Sequence, residues 1–299
     1  MISIIICTYN RDKFIEESLK ALVQQTLDSS DYEIIVVNNN CTDNTTQIVN
    51  NFIEQHPNIA IRQIFEANQG LSFARNRGLQ EVKYEIVSYI DDDGIAEPQY
   101  LEKIVRYFKE HPEVAGIGGK VIPIYEVEEP AWYNPFLRMM VTAIDFGAQT
   151  FKCKGKKYPA GCSMTYRKHL LLEVGGFNNA LKWRADDKYI FHQVSKINDE
   201  IYYYPEIKVG HHIDKSRTTD ENFDRLSRLL GSEERLRISS SKEGNYFVKL
   251  FEFVFKYFAS LLIALFYALK GQWIKGKYVI RFRYLALLAF IQTKPQRAT

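Results

Sequence analysis

Three carboxylates in a row, Asp91, Asp92 and Asp93, follow the apolar run Ile86-Val87-Ser88-Tyr89-Ile90 and precede Gly94. At the end of a strand, side chains at i and i+2 leave on the same side, so Asp91 and Asp93 would share a face. Hard oxygen donors arranged this way suit a divalent cation, Mn²⁺ or Mg²⁺, and leave coordination positions open for phosphate oxygens. The plainer alternative is an acidic turn, since Asp and Gly are ordinary loop formers. Two other polar clusters also directly follow apolar runs: Thr8-Tyr9-Asn10, and Asn38-Asn39-Asn40 with Asp43.

Positioning these clusters requires a repeated unit. Ile2 to Cys7 is β-branched and almost wholly apolar, as a strand buried on both faces of a parallel sheet would be. Ile15, Leu19, Leu22 and Val23 then place one apolar stripe along a helix. The alternation repeats with a strand at Glu33–Val37 and a helix near Thr45–Gln55, a strand at Ile59–Phe65 and a helix near Ser72–Gln80, and a strand at Glu85–Ile90. Such βα alternation predicts an α/β fold with a parallel, Rossmann-like sheet. Right-handed crossovers bring the carboxyl ends of its strands to one edge, where the three polar clusters converge. Beyond Pro98 the pattern predicts a helix to about Glu110, a strand around Val114–Ile124, and a Pro-interrupted aromatic stretch through Trp132 and Pro135.

Composition narrows the classes further. The chain has 299 residues, 46% of them hydrophobic, enough for a large core. A formal net charge of +3 implies no nucleic-acid partner. From Lys242 onward, however, ten Lys or Arg face only Glu243 and Glu252, so the C-terminal region is chemically distinct. The four cysteines, Cys7, Cys41, Cys153 and Cys162, show no C-x-x-C spacing, which argues against a zinc site or a disulfide framework. Reduced thiols and the lack of a basic leader before Ile2 lead us to expect a cytoplasmic protein.

At this point a resemblance becomes clear. Ser3-Ile4-Ile5-Ile6-Cys7-Thr8-Tyr9-Asn10-Arg11, Val37-Asn38-Asn39-Asn40-Cys41-Thr42-Asp43, Asn68-Gln69-Gly70 with Ala74-Arg75-Asn76, Tyr89-Ile90-Asp91-Asp92-Asp93, and Gly175-Gly176-Phe177 resemble, in order, the motifs of a family 2 glycosyltransferase with the GT-A fold. The resemblance implies a nucleotide-diphosphate-sugar donor site built from Thr8, Tyr9, Asn10, Asp43, Arg75, Asp91 and Asp92, with Asp91 toward the ribose and Asp93 on the metal. Without it, Asn38 to Asp43 reads as a turn and helix cap. His211-His212 falls where the family often has a metal-binding histidine; His211 is assigned and His212 is kept as the alternative. Gly161-Cys162-Ser163 resembles the small-residue segment under the transferred sugar, Gly161 and Ser163 being its sugar-binding positions, with tight strand pairing as the structural alternative.

Inverting transfer in one displacement needs a group to take the acceptor hydroxyl's proton. Asp186 and Asp187 open a helix whose apolar positions are Ile190, Val194 and Ile197, and they fall where the family usually has Glu-Asp. Counting back from Pro205 puts Asp187 on the family's base, but the Asp at 186 departs from the pattern and leaves both residues as candidates. Two acids in a first turn are also favourable simply for the helix dipole.

These readings place a catalytic domain at 1–217 and a helical, basic extension at 218–299. In the extension, Glu252 and Lys256 interrupt the apolar stretch Phe247–Leu269, and the uncharged run Tyr257–Leu269 is shorter than the roughly 20 residues of a spanning helix. A second apolar segment, Tyr284–Ile291, follows Lys270, Lys275, Lys277, Arg281 and Arg283. The extension is expected either to contact a membrane surface peripherally on the cytoplasmic side, or to form a helical hairpin against the catalytic domain or a second subunit of a homo-oligomer.

The expected activity is transfer of a sugar, from UDP by resemblance, to a saccharide or lipid-linked saccharide. A non-catalytic nucleotide-sugar scaffold is the runner-up. A nucleotidyltransferase would need a Gly-rich phosphate loop that Thr8-Tyr9-Asn10-Arg11 does not provide. A haloacid-dehalogenase-like phosphatase is set aside because its nucleophile follows the first strand, whereas Asp91 follows the fourth and Ile95 holds the motif's fifth place.

Overall fold

A computed structural model describes residues 1–180, 186–240 and 245–294. Residues 181–185, just before the Asp186-Asp187 helix, and the basic residues Lys242 and Arg297 fall outside the described residues. The chain divides into two compact units, one of residues 1–124 with 143–212, the other of 125–142 with 213–299.

In the first unit the predicted alternation is present: β1 (Ile2–Thr8), α1 (Ile15–Val23), β2 (Tyr32–Asn38), α2 (Thr45–Gln55), β3 (Ile61–Phe65), α3 (Leu71–Glu81) and β4 (Ile86–Asp91). After these come β5 (Gly94–Ala96), α4 (Tyr100–Glu110), β6 (Gly116–Tyr125), β7 (Phe151–Lys152), β8 (Met164–Arg167), α5 (Lys168–Glu173), α6 (Asp186–Ile197) and β9 (Ile201–Ile213). Among the described residues one nine-stranded sheet has the order β3-β2-β1-β4-β8-β6-β9-β5, with β7 on β9.

The largely apolar β1 lies between β2 and β4, parallel to both, and is buried on both faces as its composition requires. Its register pairs Thr8 with Asn38 and Cys7 with Asp91, which brings the three polar loops to one edge. The buried stripe Ile15, Leu19 and Leu22 of α1 covers one face, and Ala74 and Leu79 of α3 join the core on the other. Antiparallel β8 and β5, with the long β9, were not evident in the sequence. Along β9 alternate residues are buried, from Ile201 through Tyr203, Ile207 and Val209 to His211 and Ile213.

The second unit holds α7 (Asp220–Ser240), α8 (Tyr246–Leu269) and α9 (Trp273–Gln292). Glycines permit close helix approach: a Cβ on Gly276 would come within 2.7 Å of Ala264 Cα, and one on Gly231 within 2.9 Å of the Ala286 carbonyl carbon. Trp132, from the aromatic stretch, packs edge-on against Phe223 with ring centroids 5.1 Å apart. The uncharged run in the sequence understates α8. The helix spans 24 residues, and by length and composition it is long and apolar enough to cross a membrane.

One buried charge in the sheet gives a test. Glu33 accepts hydrogen bonds from Ser3 Oγ, Lys83 N and the Arg62 guanidinium, each at 2.6 Å. Burial pushes its pKa up, but the bonds from Ser3 and Lys83 together with Arg62 outweigh burial and hold it below the usual glutamate range. A depressed folded pKa contributes stability above the unfolded glutamate value and loses it as the pH falls through the folded value. Glu33→Gln is therefore expected to lower the unfolding free energy by about 1–3 kcal/mol at neutral pH in urea melts. The difference from wild type should narrow below the ordinary glutamate range.

Candidate active site

The loops after β1 and β2 are clasped together. Asn10, held at φ 53°, accepts a hydrogen bond at Oδ1 from Thr42 N (2.8 Å), and its Nδ2 donates to Thr42 Oγ1 (3.2 Å). Asp43 accepts from Thr45 N through Oδ1 (3.0 Å) and from Asp12 N through Oδ2 (3.1 Å). Burial raises the Asp43 pKa, but these bonds outweigh it and the carboxyl lies below its usual range. Asn10 and Asp43 thus shape the loop edge; the residue at the N-cap of α2 is Asn44, whose side chain makes no capping bond, and Asp43 makes a local turn just before it.

Beside this clasp lies a cleft of about 430 Å³ lined by Thr8, Tyr9, Asn39, Gly70, Ala74 and Asn179, among others. Asn39 reaches across its base, donating to Glu66 O (3.1 Å) and Asn68 O (2.8 Å) and accepting from Gly70 N (2.7 Å). Gly70 has φ 147°, a conformation side chains rarely adopt, and α3 begins at the next residue. The positive end of the α3 dipole therefore lies at the cleft. Sequence reasoning grouped Asn39 and Gly70 in motifs without giving them a place in the site; the Asn-Gln-Gly signature before a helix was the available signal.

At the end of β4, donor atoms of Asp91, Asp93 and His211 all lie within 4.8 Å of one another. Asp93 and His211 are almost fully buried, with Asp93 Oδ1 3.2 Å from His211 Nε2. The β5–β9 pairing, which sets Gly94 opposite His211, creates this approach. His212 has the other phase of β9: its Nε2 lies 3.0 Å from Glu17 and its ring is 5.4 Å from Phe14. Arg11, another residue the sequence reading left out of the site, extends Nε to 3.4 Å from Asp92 Oδ1 and Nη2 to 3.5 Å from Asp93 Oδ2. Burial pushes the Asp92 carboxyl up to about 7 despite Arg11, and burial also raises Asp91 against the pull of Arg75.

Arg75 is buried in α3. Its guanidinium pairs with Asp186 and lies 3.4 Å from Asp91 Oδ1, with the rings of Phe177 and Tyr89 at 5.5 and 5.9 Å. Gly161 packs against it so closely that a Cβ there would stand 2.5 Å from the guanidinium. Gly161 N also donates to Asp187 Oδ2 (3.3 Å), and Lys188 N donates to Oδ1 (2.6 Å). Burial raises the pKa of Asp187, and Asp186 beside it adds to the rise. Arg75 and Gly161 thereby link the Asp91–Asp93–His211 group to the pair of acids that opens α6.

Residues 3–175 match the family described as Glycosyl transferase family 2. The chain belongs to that family. Among relatives, it is 21% identical over 228 residues to the glucosyl-dolichyl phosphate glucuronosyltransferase of Haloferax volcanii, covering 73% of this chain and 71% of that protein. It is 25% identical over 244 residues to the poly(ribitol-phosphate) β-N-acetylglucosaminyltransferase TarS of Staphylococcus aureus, covering 77% of this chain but only 40% of TarS. Its fold matches the mannosyltransferase PcManGT of Pyrobaculum calidifontis, solved with GDP-Man and Mn²⁺, with a TM-score of 0.65 at 18% identity, covering 97% and 87% of the two chains. TarS 1–349 with UDP-GlcNAc matches with a TM-score of 0.54 at 18% identity, covering 97% and 89%.

The protein is thus a glycosyltransferase with the GT-A fold. Other family motifs have structural partners. Asn76 Oδ1 accepts from Phe177 N and its Nδ2 donates to Phe177 O, both at 2.8 Å, which ties Ala-Arg-Asn to Gly-Gly-Phe. Ser163 Oγ lies 3.2 Å from Tyr100 Oη in a buried chain that continues to Ser88 and Thr165. Its hydroxyl is engaged there, whereas Gly161 lies against Arg75. Because an ammonium lacks the rigid planar fork with which a guanidinium fixes the orientation of two carboxylates, Arg75→Lys is expected to lower kcat/KM for sugar transfer by about 10–100-fold while cooperative unfolding is retained. Steady-state kinetics alongside thermal melts check this.

Proposed function

We propose that this glycosyltransferase moves a sugar from a UDP-sugar to a saccharide or lipid-linked saccharide acceptor, in one displacement with inversion at the anomeric carbon, with Asp187 as the base. The observation that carries the reading is the convergence of Asp91, Asp93 and His211 beside an Arg75 that also holds Asp186, the neighbour of Asp187. On this reading residues 1–217 are the catalytic domain and 218–299 its extension. The four free thiols support a cytoplasmic setting.

Two carboxylates and an imidazole with donor atoms within 4.8 Å of one another fit a single Mn²⁺ or Mg²⁺. When bound, the cation neutralises charge on the departing diphosphate. Thr8 and Tyr9 line the cleft assigned to the nucleoside, and the first turn of α3 places positive potential beside it. Asn10 and Asp43 are assigned to the nucleotide site through the loop they fix. Arg75 sets Asp91 and Asp186, and Asp92 is held by Arg11.

In the displacement, the acceptor oxygen bonds to the anomeric carbon as the bond to the diphosphate oxygen breaks, its electron pair leaving with the nucleotide. The acceptor's proton passes to Asp187. A raised pKa makes this carboxylate a stronger base and preserves its ionised form only above that pKa. Asp186 is committed to Arg75, which favours Asp187 for this role.

Incubation with Mn²⁺ and a panel of UDP- and GDP-sugars should release free nucleoside diphosphate from a UDP-sugar and give a product of inverted anomeric configuration by NMR. Pyrophosphate as product, or neither binding nor release with any donor, would sink the reading. Asp187→Asn is expected to retain donor binding and lose about 10²–10⁴ in kcat. The wild-type kcat should fall on acidification with an apparent pKa above the ordinary aspartate range, and a flat profile through that range would reject Asp187 as base. Asp93→Asn should abolish tight Mn²⁺ binding, followed by paramagnetic resonance without substrate.

A further inference from the structure

The face that α8 turns outward is its apolar one. Phe247, Phe251, Phe255, Phe258, Leu262 and Leu269 recur at steps of three, four and seven residues, which places them on one face. Phe247, Phe251, Leu262 and Leu269 expose 76%, 72%, 72% and 81% of their surface. The charged residues take the opposite face. Lys249 Nζ lies 3.2 Å from Glu234 of α7 and 2.7 Å from Glu252, which also pairs with Lys256. Ser260 and Tyr267, further along that side, are buried, and Phe253 stacks on Phe290 of α9 at 4.7 Å. A soluble helix does the reverse, and an aromatic face running the length of 24 residues, about 36 Å, far exceeds the isolated exposed apolar side chains usual on a monomer.

What flanks this face identifies its occupant. Lys270, which follows its last residue, and Lys277, in the first turns of α9, are exposed, their ammonium groups 4.3 Å from the ring centroid of Phe266 and 5.5 Å from that of Trp273. Lys275 lies between them in the sequence. Exposed Trp beside Lys, at the end of an aromatic and aliphatic face, complements a bilayer boundary with hydrocarbon on one side and anionic headgroups on the other. We infer that α8 lies in the plane of an anionic lipid surface, with its Phe and Leu face in the acyl boundary and Lys270, Lys275 and Lys277 among the headgroups.

Lying flat fits better than crossing. A crossing α8 would carry Lys249, Glu252 and Lys256 into hydrocarbon together with its packed neighbour α9, which bears Arg281 and Arg283. In the plane, those charges stay on the side of the helix away from lipid. A second copy on the same face would leave the flanking cations without a role.

The full chain is to be sedimented with phosphatidylcholine vesicles with and without phosphatidylglycerol. Binding to the anionic vesicles, weakened by salt, is expected. Phe251→Glu with Phe255→Glu and Leu262→Glu, all on the exposed face, should lower the bound fraction about tenfold or more while preserving helical circular dichroism. Lys270→Gln with Lys275→Gln and Lys277→Gln should remove the preference for anionic lipid. Wild-type protein left in the supernatant with both vesicle types, or a triple-glutamate variant that binds like wild type, would overturn the inference. So would retention on vesicles through alkaline carbonate extraction, which means crossing. A dimer in light scattering that the glutamates split, without vesicle binding, would assign the face to a second copy instead.

Discussion

A guanidinium buried between two carboxylates is the interaction around which the site is organised. Arg75 comes from α3, Asp91 from the end of β4 and Asp186 from the start of α6, elements far apart in sequence. An unpaired buried charge is costly, so each partner constrains where the others can lie. Phe177 and Tyr89 keep water from the guanidinium, and Gly161 allows backbone to approach it. Once Arg75 is fixed, Asp187 follows from its place beside Asp186 and from the Gly161 N–H. The position of the carboxylate proposed as base therefore depends on a cation that need not touch the reacting atoms.

The second constraint is the register of β1. Pairing Cys7 with Asp91 and Thr8 with Asn38 brings three loops to one level, and side chains then lock the loops to one another instead of leaving them as independent turns. Asn10 bonds Thr42, Asp43 bonds Asp12, and Asn39 bonds three backbone groups of the loop before α3. Such bonds made before any ligand arrives reduce the ordering that binding would otherwise require. Several residues that a motif comparison assigns to the nucleotide thus hold backbone in this structure, and the cleft is the surface their bonds leave behind.

These features differed in how legible they were in the sequence. The four parallel strands and their helices were legible because each is local: period and turn residues identify them without knowledge of partners. The approach of Asp91 to Asp93 was expected from the two-residue period of one strand, but β4 ends at Asp91, and it is the Asp92-Asp93 turn into β5 that brings the two carboxylates together. His211 was harder, because it belongs to a strand that carries Pro205, a residue that reads as a strand breaker, and reaches Asp93 through the antiparallel β5–β9 pair. A signal was nevertheless present: Ile201, Tyr203, Ile207, Val209 and Ile213 are all odd-numbered and buried, and that phase includes His211 and leaves out His212. Arg75 pairing with Asp186 and Ser163 meeting Tyr100 had no such signal. Contacts across 111 and 63 residues depend on how helices and strands pack, which neither period nor composition records.

The helical unit shows the opposite limit, where a linear reading of charge misleads about a helix. Lys249, Glu252 and Lys256 divide the apolar stretch when counted along the chain, and so shorten the apparent hydrophobic segment. At 100° per residue they occupy one side, where i,i+3 and i,i+4 pairing and Glu234 of α7 neutralise them. The apolar residues then form an unbroken face that the sequence never displays as a run. Where the charges of a helix neutralise one another and its neighbour, the side they vacate becomes more apolar than its composition indicates. The physical character of α8 is therefore set by which residues share an azimuth, and that arrangement turns an interrupted segment into a continuous surface.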